Sequence, residues 1–486
     1  VWGSVSSFIT PAAPTATTTA ATSITTNSAQ LNGSGNPNRA NATGWFRYAA
    51  TNPGTCDDKF GSRAPTSGGS PLGSDVYDQA YVQAINGLSS GTTYYYCAIV
   101  SSSEGTAFGS VQQFTTSGTP SATTNAATSI SATGATLNGA GNPNGAAAQG
   151  WFRYATSDPG TCNDGFGSRA PYSGYVNLGA GTSSVSFGQA IGSLSPGTKY
   201  YYCAIASNSY GTGFGSVMSF TTPAQAPTVS TSGATTLTRT TAVLTGYGYP
   251  GGDATTGWFR YATASPGTCN DTFGTRAPTM GASALGSGTS GVTFQQPISG
   301  LAPATTYYYC AIASNSVGTV FGSVASFITP AAPTAATTPA SYITNSSAQL
   351  NGSGNPNRAN TTGWFRYALT NPGTCDDKFG SRAPLSGGSS LGSDVYDQPF
   401  AQSISGLSAG TTYYYCAIVS STEGTAFGAV QQFTTSAPPT ATTNAASSIS
   451  STSAVINGAS NPNGAAAQGW FRYSNIDPGS CNDAFG

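Results

Sequence analysis

The segment GTTYYYCAIVSSSEGTAFGSVQQFTT, which runs from Gly91 to Thr116, reveals how this chain is organised, because close copies of it recur. The other copies begin at Gly197, Ala304 and Gly410. A GWFRY motif recurs about every 106 residues, and its tryptophans are Trp45, Trp151, Trp258, Trp364 and Trp470. This period is far longer than the roughly 20–50 residues of a solenoid repeat, so each unit should fold as a domain with its own core.

A longer period groups these units in threes. The stretch LNGSGNPNRAN begins at Leu31 and again at Leu350, and NPNGAAAQGWFRY begins at Asn142 and again at Asn461. Both offsets are 319 residues, which corresponds to three units. The chain is therefore built from cassettes of three repeats, and each repeat has a first, second or third position in its cassette.

The repeat boundaries follow from these landmarks. We predict that residues 1–13 are the C-terminal strand of a preceding, third-position repeat and that residues 439–486 are the N-terminal half of a second-position repeat, repeat 5. The complete repeats are repeat 1 (14–119), repeat 2 (120–226), repeat 3 (227–332) and repeat 4 (333–438). We expect the sequence to be a window of a longer array. The alternative is a self-polymerising subunit whose end strand completes a neighbour's half repeat by strand addition.

The composition excludes several classes of function. Only 6% of the residues are charged and the net charge is −1, so no strong field exists to attract nucleic acid or an anionic membrane. No apolar run reaches the ~18–20 residues of a membrane-spanning helix. The chain has no histidine, which removes histidine-based catalytic triads, haem ligation by histidine and histidine metal sites. We therefore expect a protein that is not an enzyme and has no cofactor.

The nine cysteines predict disulfides, with one pair in each complete repeat. The predicted pairs are Cys56–Cys97, Cys162–Cys203, Cys269–Cys310 and Cys375–Cys416, and the partner of Cys481 would lie outside this sequence. Disulfide pairs without a CxxC motif indicate an oxidising compartment, so we expect an extracellular or cell-surface protein. Zinc is disfavoured by the two thiols per repeat and the lack of histidine. Reduced core thiols, and cross-links between domains or chains, remain open alternatives.

The pattern of each repeat predicts about seven short strands separated by turns, with no segment of helical period. The fold class is therefore all-β: a tandem array of seven-stranded antiparallel β-sandwich domains. In the strand GWFRYA, alternation places Phe46 and Tyr48 on one face and Trp45 and Arg47 on the other.

Leu88 and Tyr94, with Gly91 and Thr92 between them, resemble the tyrosine corner of fibronectin type III and related immunoglobulin-like domains. The repeats as a whole are similar to bacterial extracellular fibronectin type III-like repeats. The resemblance implies that the tyrosines of the TYYYCAIV strand alternate inward and that Cys97 faces outward, near Trp45. A disulfide would then staple the long loop across the outside of the sheet. Typical fibronectin type III domains lack a disulfide, so this pair is a departure from the family.

Charged residues are scarce, yet an aspartate two residues after the first cysteine of each repeat recurs, as do two arginines. The aspartates are Asp58, Asp164, Asp271, Asp377 and Asp483. The arginines are Arg47, Arg153, Arg260, Arg366 and Arg472 after the tryptophan, and Arg63, Arg169, Arg276 and Arg382 in the loop. We interpret them as pairs that pin the loop. A polar ligand-binding cleft is the functional alternative, and a calcium site in the acidic loops of repeats 1 and 4 is a weaker one.

The recurring tryptophans are also candidates for contact with a partner. If Trp45, Trp151, Trp258, Trp364 and Trp470 are exposed, they could stack on sugars, although covering the sheet or packing against a neighbouring chain is the simpler role. Five Asn-X-Ser/Thr triplets are candidate N-glycosylation sites: Asn32, Asn41, Asn345, Asn351 and Asn360.

These features predict a structural component of an extracellular filament, sheath or stalk. Short proline-containing linkers should string the domains into a rod, and the low charge removes repulsion between identical chains. We therefore expect self-association, with glycans or a cell-surface polymer as further partners. The alternatives are the spacer stalk of a large bacterial adhesin and glycan-contacting accessory repeats of a secreted polysaccharide-active enzyme.

Overall fold

The computed structural model describes residues 2–486, and the regular elements in this part of the chain are β-strands. Residues 2–14 form no strand, and Val1 of the C-terminal strand predicted at 1–13 lies outside the described residues. In repeat 1 the strands are β1 (Thr15–Thr22), β2 (Ser28–Asn36), β3 (Ala42–Ala49), β4 (Ser62–Ala64), β5 (Ser70–Gly73), β6 (Gln79–Asn86), β7 (Thr93–Ser102), β8 (Gly105–Phe108) and β9 (Gln112–Thr115).

These strands form two antiparallel sheets. The smaller sheet has the order β1-β2-β6, and the larger has the order β4-β3-β7-β8, with β5 also pairing with β3 and β9 with β7. The nine segments therefore occupy seven strand positions, three facing four, as in fibronectin type III and immunoglobulin-like sandwiches. The fold class predicted from the sequence is confirmed, and the only difference is that two strand positions are divided.

Both divisions have local causes. Between β4 and β5 lies Pro65, which has no N–H for a ladder hydrogen bond. Between β8 and β9, Gly109 lies so close to β1 that a Cβ atom there would meet the Thr18 hydroxyl at 2.4 Å. A side chain at this position would therefore force the two sheets apart.

The same strand order is found in the other complete repeats. Repeat 2 contains β10 (Ser121–Thr128), β11 (Ala135–Asn142), β12 (Ala148–Ala155), β13 (Ser168–Ala170), β14 (Val176–Gly179), β15 (Val185–Ile191), β16 (Lys199–Asn208), β17 (Gly211–Phe214) and β18 (Met218–Thr221). Repeat 3 contains β19 (Thr228–Thr235), β20 (Thr241–Tyr249), β21 (Thr255–Ala262), β22 (Thr275–Ala277), β23 (Ser283–Gly286), β24 (Val292–Ser299), β25 (Thr306–Ser314), β26 (Thr319–Phe321) and β27 (Ala325–Ile328).

The remaining strands lie in the last part of the chain. Repeat 4 contains β28 (Thr334–Ser341), β29 (Ser347–Asn355), β30 (Thr361–Ala368), β31 (Ser381–Ala383), β32 (Ser389–Gly392), β33 (Gln398–Ser405), β34 (Thr412–Ser421), β35 (Gly424–Phe427) and β36 (Gln431–Thr434). Residues 439–486 form a two-stranded sheet of β37 (Thr440–Ser447) and β38 (Val455–Asn461). The chain divides into two compact units: one holds repeats 1 and 2 together with short segments of repeat 3, and the other holds the rest.

Each complete repeat has its own core between the two sheets. In repeat 1 the inward side chains of β3 and β7 include Phe46 and Tyr96, both fully buried, which pack with Leu31 of the smaller sheet. Equivalent clusters occur in repeats 2, 3 and 4. The tyrosine corner is present as well, because the Ser89 N–H donates a hydrogen bond to the Tyr94 hydroxyl at 3.0 Å. The alternation read from the sequence therefore places the core correctly.

Candidate functional site

The candidate site is the outer face of the larger sheet, where the recurring tryptophan, arginines, aspartate and cysteines meet. In repeat 2, Arg153 of β12 pairs with Cys203 of β16, and Trp151 pairs with Ile205. Since alternate residues point to opposite faces of a strand, these side chains lie on the face opposite the core. Trp151, Cys203 and Ile205 form a small separate apolar cluster, against which Cys162 and Phe166 of the loop pack.

A disulfide joins the loop to this face in each complete repeat. The bonded pairs are Cys56–Cys97, Cys162–Cys203, Cys269–Cys310 and Cys375–Cys416, each with a Cα–Cα distance of 6.0 Å. In each pair the strand cysteine is fully buried. Cys481 is the one free cysteine among residues 2–486, and it is exposed. The loop is thus held to the outside of the sheet, as the family resemblance implies.

The aspartate of the loop connects the tryptophan and the first arginine. In repeat 2 the carboxylate Oδ1 of Asp164 accepts hydrogen bonds from Trp151 Nε1 and from Arg153 Nε, both at 2.8 Å. The same pair of bonds, at 2.8–3.0 Å, is formed around the other aspartates: Asp58, Asp271, Asp377 and Asp483. The interpretation of these residues as ion pairs that pin the loop is confirmed.

A glycine positions the loop against β12. Gly167 has a φ of +51°, in the left-handed region, and the Arg153 side chain donates to its carbonyl oxygen at 3.4 Å. A Cβ atom on Gly167 would meet the Tyr154 carbonyl oxygen at 2.2 Å. Only glycine satisfies both the backbone conformation and the close approach.

The second arginine lies over the tryptophan ring. The Arg169 guanidinium carbon is 4.9 Å from the centroid of Trp151, within the range of a cation–π contact. Its Nη1 atom also donates to the carbonyl oxygens of Pro171, at 3.0 Å, and Gly174. Arg63, Arg276 and Arg382 make the corresponding contacts in the other complete repeats. We call the tryptophan, the two arginines, the aspartate and the disulfide of one repeat the outer-face cluster.

The contacts also set the protonation state of the aspartates in repeats 3 and 4. Partial burial acts to raise the pKa of Asp271, but hydrogen bonds from Trp258 and Arg260, with the positive charges of Arg260 and Arg276, outweigh it. The pKa of Asp271 is therefore below its ordinary value, and the same balance lowers the pKa of Asp377. The ionised carboxylate is the form that the cluster stabilises.

The expectation of exposed tryptophans needs correction. Trp151 and Trp258 are buried, with 8% of their surface exposed, and Trp45 and Trp364 are half-buried. The guanidinium over each ring and the disulfide-bonded loop cover these side chains. Trp470 differs, with 66% of its surface exposed. In the complete repeats the outer-face cluster is therefore organised around its own loop and leaves no open aromatic platform at the tryptophan.

The sequence missed the role of the loop arginines. Their recurrence was visible, but only the fold shows that they pack on the tryptophan and not on an aspartate. No group of three or more histidine, cysteine, aspartate or glutamate side chains that could hold a metal ion is assembled among residues 2–486. No helix long and apolar enough to span a membrane occurs in the same part of the chain.

The five glycosylation triplets fall into two groups. Asn32 and Asn351 lie within β2 and β29, and their side-chain amides donate hydrogen bonds into the neighbouring strand. For Asn32 the acceptors are the Ala20 carbonyl oxygen at 2.7 Å and the Thr22 hydroxyl at 3.0 Å. Asn41, Asn345 and Asn360 are exposed outside the strands. Modification of the first two would disturb sheet contacts, whereas the last three are accessible.

Comparisons with known proteins add no argument to the fold. No family model matches the chain, and no curated protein matches it. Among solved structures, the FN1–FN3 domains of chicken CNTN1 match with 15% identity and a TM-score of 0.30. That match covers 66% of this chain and 99% of the CNTN1 chain. The strand order and the cores of the repeats themselves establish the β-sandwich fold.

Proposed function

We propose that this protein is a structural component of an extracellular or cell-surface filament, sheath or stalk, built from disulfide-stapled β-sandwich repeats. The observation that supports this function best is the outer-face cluster. Its recurring charged and aromatic residues bind one another in every complete repeat, so the most distinctive residues of the chain hold a loop in place. Four intradomain disulfides are typical of proteins in oxidising compartments outside the cytosol.

The linker between repeats 1 and 2 supports a mechanical role. Thr116 is fully buried, and its hydroxyl donates to the Ser89 carbonyl oxygen at 2.6 Å. Two residues later, the Gly118 N–H donates to the Asn144 carbonyl oxygen at 2.8 Å, and the Asn208 amide donates to the Gly118 carbonyl oxygen at 2.8 Å. Hydrogen bonds thus fix this short linker to both repeats. A flexible tether would leave these backbone groups to water.

We propose that the chain associates with identical chains. With 6% charged residues, little electrostatic repulsion keeps neighbouring copies apart. The loop that follows β13 and β31 presents an almost fully exposed apolar side chain, Tyr172 at 94% and Leu385 at 88%. Such side chains are available for contacts between laterally packed chains.

Negative-stain electron microscopy of the purified chain, with and without reductant, tests this function. Ordered fibres or bundles that form at high concentration are the expected result. Their persistence in a Cys481→Ser variant, which cannot form a cross-link at the free and exposed cysteine, would assign assembly to non-covalent contacts. Monodisperse single chains at high concentration would contradict self-assembly and favour the second candidate, the spacer stalk of an adhesin, which the hydrogen-bonded linker also supports.

A further inference from the structure

The joint between repeats 3 and 4 contains a buried carboxylate. Glu423 lies at the tip of the β34–β35 hairpin and is the only charged residue that is buried among residues 2–486, with 8% of its surface exposed. Its Oε2 atom accepts a hydrogen bond from the backbone N–H of Arg239, in repeat 3, at 2.8 Å. A hydrogen bond to an ionised carboxylate is stronger than one between neutral groups.

Arg239 supplies a backbone N–H that its own turn does not use. In the turn between β19 and β20, the N–H of Thr238 donates to the Thr241 carbonyl oxygen, at 3.0 Å. The N–H groups of Thr240 and Thr241 donate to the Thr238 hydroxyl, at 3.3 and 3.0 Å. The Arg239 N–H points away from this network and meets Glu423 of the next repeat. The β19–β20 turn thus supplies the hydrogen-bond donor, and the tip of the β34–β35 hairpin supplies the acceptor.

The residue at the hairpin tip depends on the position of the repeat in its cassette. The first-position repeats carry glutamate, Glu104 and Glu423, within an identical EGTAFG stretch. Repeat 2 carries Tyr210 and repeat 3 carries Val317 at this point. At the joint between repeats 1 and 2, a cavity of about 360 Å³ lies between Tyr210 and the β1–β2 turn. A carboxylate at the tip is therefore a property of first-position repeats.

Repeat 1 presents at its β7–β8 hairpin tip the same kind of surface that repeat 4 presents at its β34–β35 hairpin tip. Its tip is built in the same way, since the N–H of Glu104 donates to the Ser102 hydroxyl at 3.2 Å, as that of Glu423 donates to Ser421 at 3.1 Å. The stretch FITPAAP precedes both repeats, at residues 8–14 and 327–333. Ala12 N–H donates to the Asn38 carbonyl oxygen at 3.1 Å, and the equivalent bond in repeat 4 is also 3.1 Å. Glu104 itself is exposed.

We propose that the tip glutamate of a first-position repeat is a docking residue for the β19–β20 turn of a third-position repeat joined ahead of it. Repeat 4 uses this contact on repeat 3, and repeat 1 presents at Glu104 the docking surface for another third-position repeat. The contact recognises a backbone N–H in a turn of fixed shape, so it selects the type of repeat that is joined there. This inference concerns the order of repeats within a chain and is independent of whether chains assemble.

Hydrogen exchange of the full chain tests the existing contact with a matched pair of variants. Glu423→Ala should speed exchange in a peptide covering residues 237–241 by about tenfold, because the Arg239 N–H loses its charged acceptor. Glu104→Ala changes the same residue in the same local sequence and should leave that peptide unchanged. Glu423→Gln, which retains an acceptor oxygen, should give a smaller increase. Equal exchange in Glu423→Ala and the unmodified chain would overturn the proposal.

A lengthened chain tests the surface on repeat 1. A second copy of residues 227–319 is joined ahead of residue 1, with Thr240→Ser in that copy so that its peptides differ in mass. The added turn should then be as protected as the turn at residues 237–241, and Glu104→Ala should remove that protection while Glu423→Ala should not. Protection of the added turn that is unaffected by Glu104→Ala would show that the glutamate is not the docking residue.

Discussion

The stretch NPNGAAAQGWFRY occurs twice, at residues 142–154 in repeat 2 and at residues 461–473 in repeat 5, and the two copies differ in structure. In repeat 2 it contributes strand β12, with Trp151 buried and Phe152 fully buried. In repeat 5 residues 465–473 form no strand, and Trp470 and Phe471 are 66% and 47% exposed. Identical residues therefore adopt different secondary structure and burial.

One part of the arrangement is nevertheless the same in both copies. Asp483 accepts hydrogen bonds from Trp470 Nε1 and Arg472 Nε, both at 3.0 Å, as Asp164 does from its partners in repeat 2. These contacts span 11 and 13 residues of sequence, so the loop alone can form them. Strand formation and burial require β16, which pairs with β12 and supplies Cys203. The hydrogen bonds of the aspartate are therefore local, whereas strand formation and the burial of the tryptophan depend on the complete sandwich.

The largest expected effect comes from the core side of this strand. Phe152→Ala should destabilise repeat 2 by about 3–5 kcal/mol, since it empties a fully buried site. Phe471→Ala, the same change in the identical stretch, should alter the stability of the complete repeats very little because its side chain is half exposed. Hydrogen exchange of repeat 2 peptides in increasing urea measures both. Equal effects would mean that the two copies are equally folded in solution.

Loss of the disulfide should have the next largest effect on the stability of repeat 2. Replacing Cys162 and Cys203 together by serine should cost repeat 2 roughly 4 kcal/mol, because the bond closes a loop of 41 residues in the unfolded chain. Cys481→Ser is the matched control and should leave thermal unfolding unchanged, since this cysteine is free and exposed. A double serine variant as stable as the unmodified chain would show that the disulfide is not a staple.

The loop aspartate should contribute less to the stability of repeat 2 than the disulfide does. Asp164→Ala leaves the Trp151 indole N–H and the Arg153 guanidinium without their carboxylate, and we expect a loss of about 1–3 kcal/mol in repeat 2. Asp164→Asn retains an acceptor oxygen and should lose less. Denaturant unfolding monitored by exchange in the loop peptide, 156–168, distinguishes the two variants. If both leave the loop as protected as before, the aspartate does not hold it.

The smallest effect concerns the pH dependence of stability in repeats 3 and 4, whose outer-face clusters contain aspartates with a lowered pKa. The pKa values of Asp271 and Asp377 are lowered in the folded chain. Their contribution to the stability of the folded repeats is therefore complete when the pH is above the ordinary aspartate pKa of about 3.9. It is lost as the pH falls through the lowered folded values. We expect Asp271→Asn to reduce the acid sensitivity of repeat 3 below about pH 4, measured by thermal unfolding. An unchanged acid profile would contradict the assigned shift.

The sequence predicted the parts of this structure that depend on strict alternation. The sandwich class follows from the pattern of short alternating strands, and the repeat period follows from the spacing of the GWFRY motif. The inward tyrosines and the outward cysteine were implied by the resemblance to fibronectin type III domains. Sequence could also indicate that aspartate and arginine pair, because charges are rare and both recur. These inferences need only the period of a strand and the spacing of a motif.

The remaining features depend on how an irregular loop folds back. The burial of Trp151 and the position of Arg169 over its ring follow from the path of residues 156–168, for which no periodic pattern exists. One of the two divided strand positions reflects the close approach of Gly109 to β1, which only the folded sandwich creates. The docking of Glu423 on Arg239 joins residues 184 apart, so it too required the structure.

The most direct test of this account is hydroxyl-radical footprinting of Trp151 and Trp470 in one sample of the intact chain. Their peptides are distinguished by the residues that follow, Ala155 and Ser474. We predict that Trp470 is oxidised several-fold faster than Trp151 and that reduction of the disulfides raises the rate at Trp151 towards that at Trp470. Equal rates in the oxidised chain would contradict the claim that the complete, disulfide-bonded sandwich covers the tryptophan.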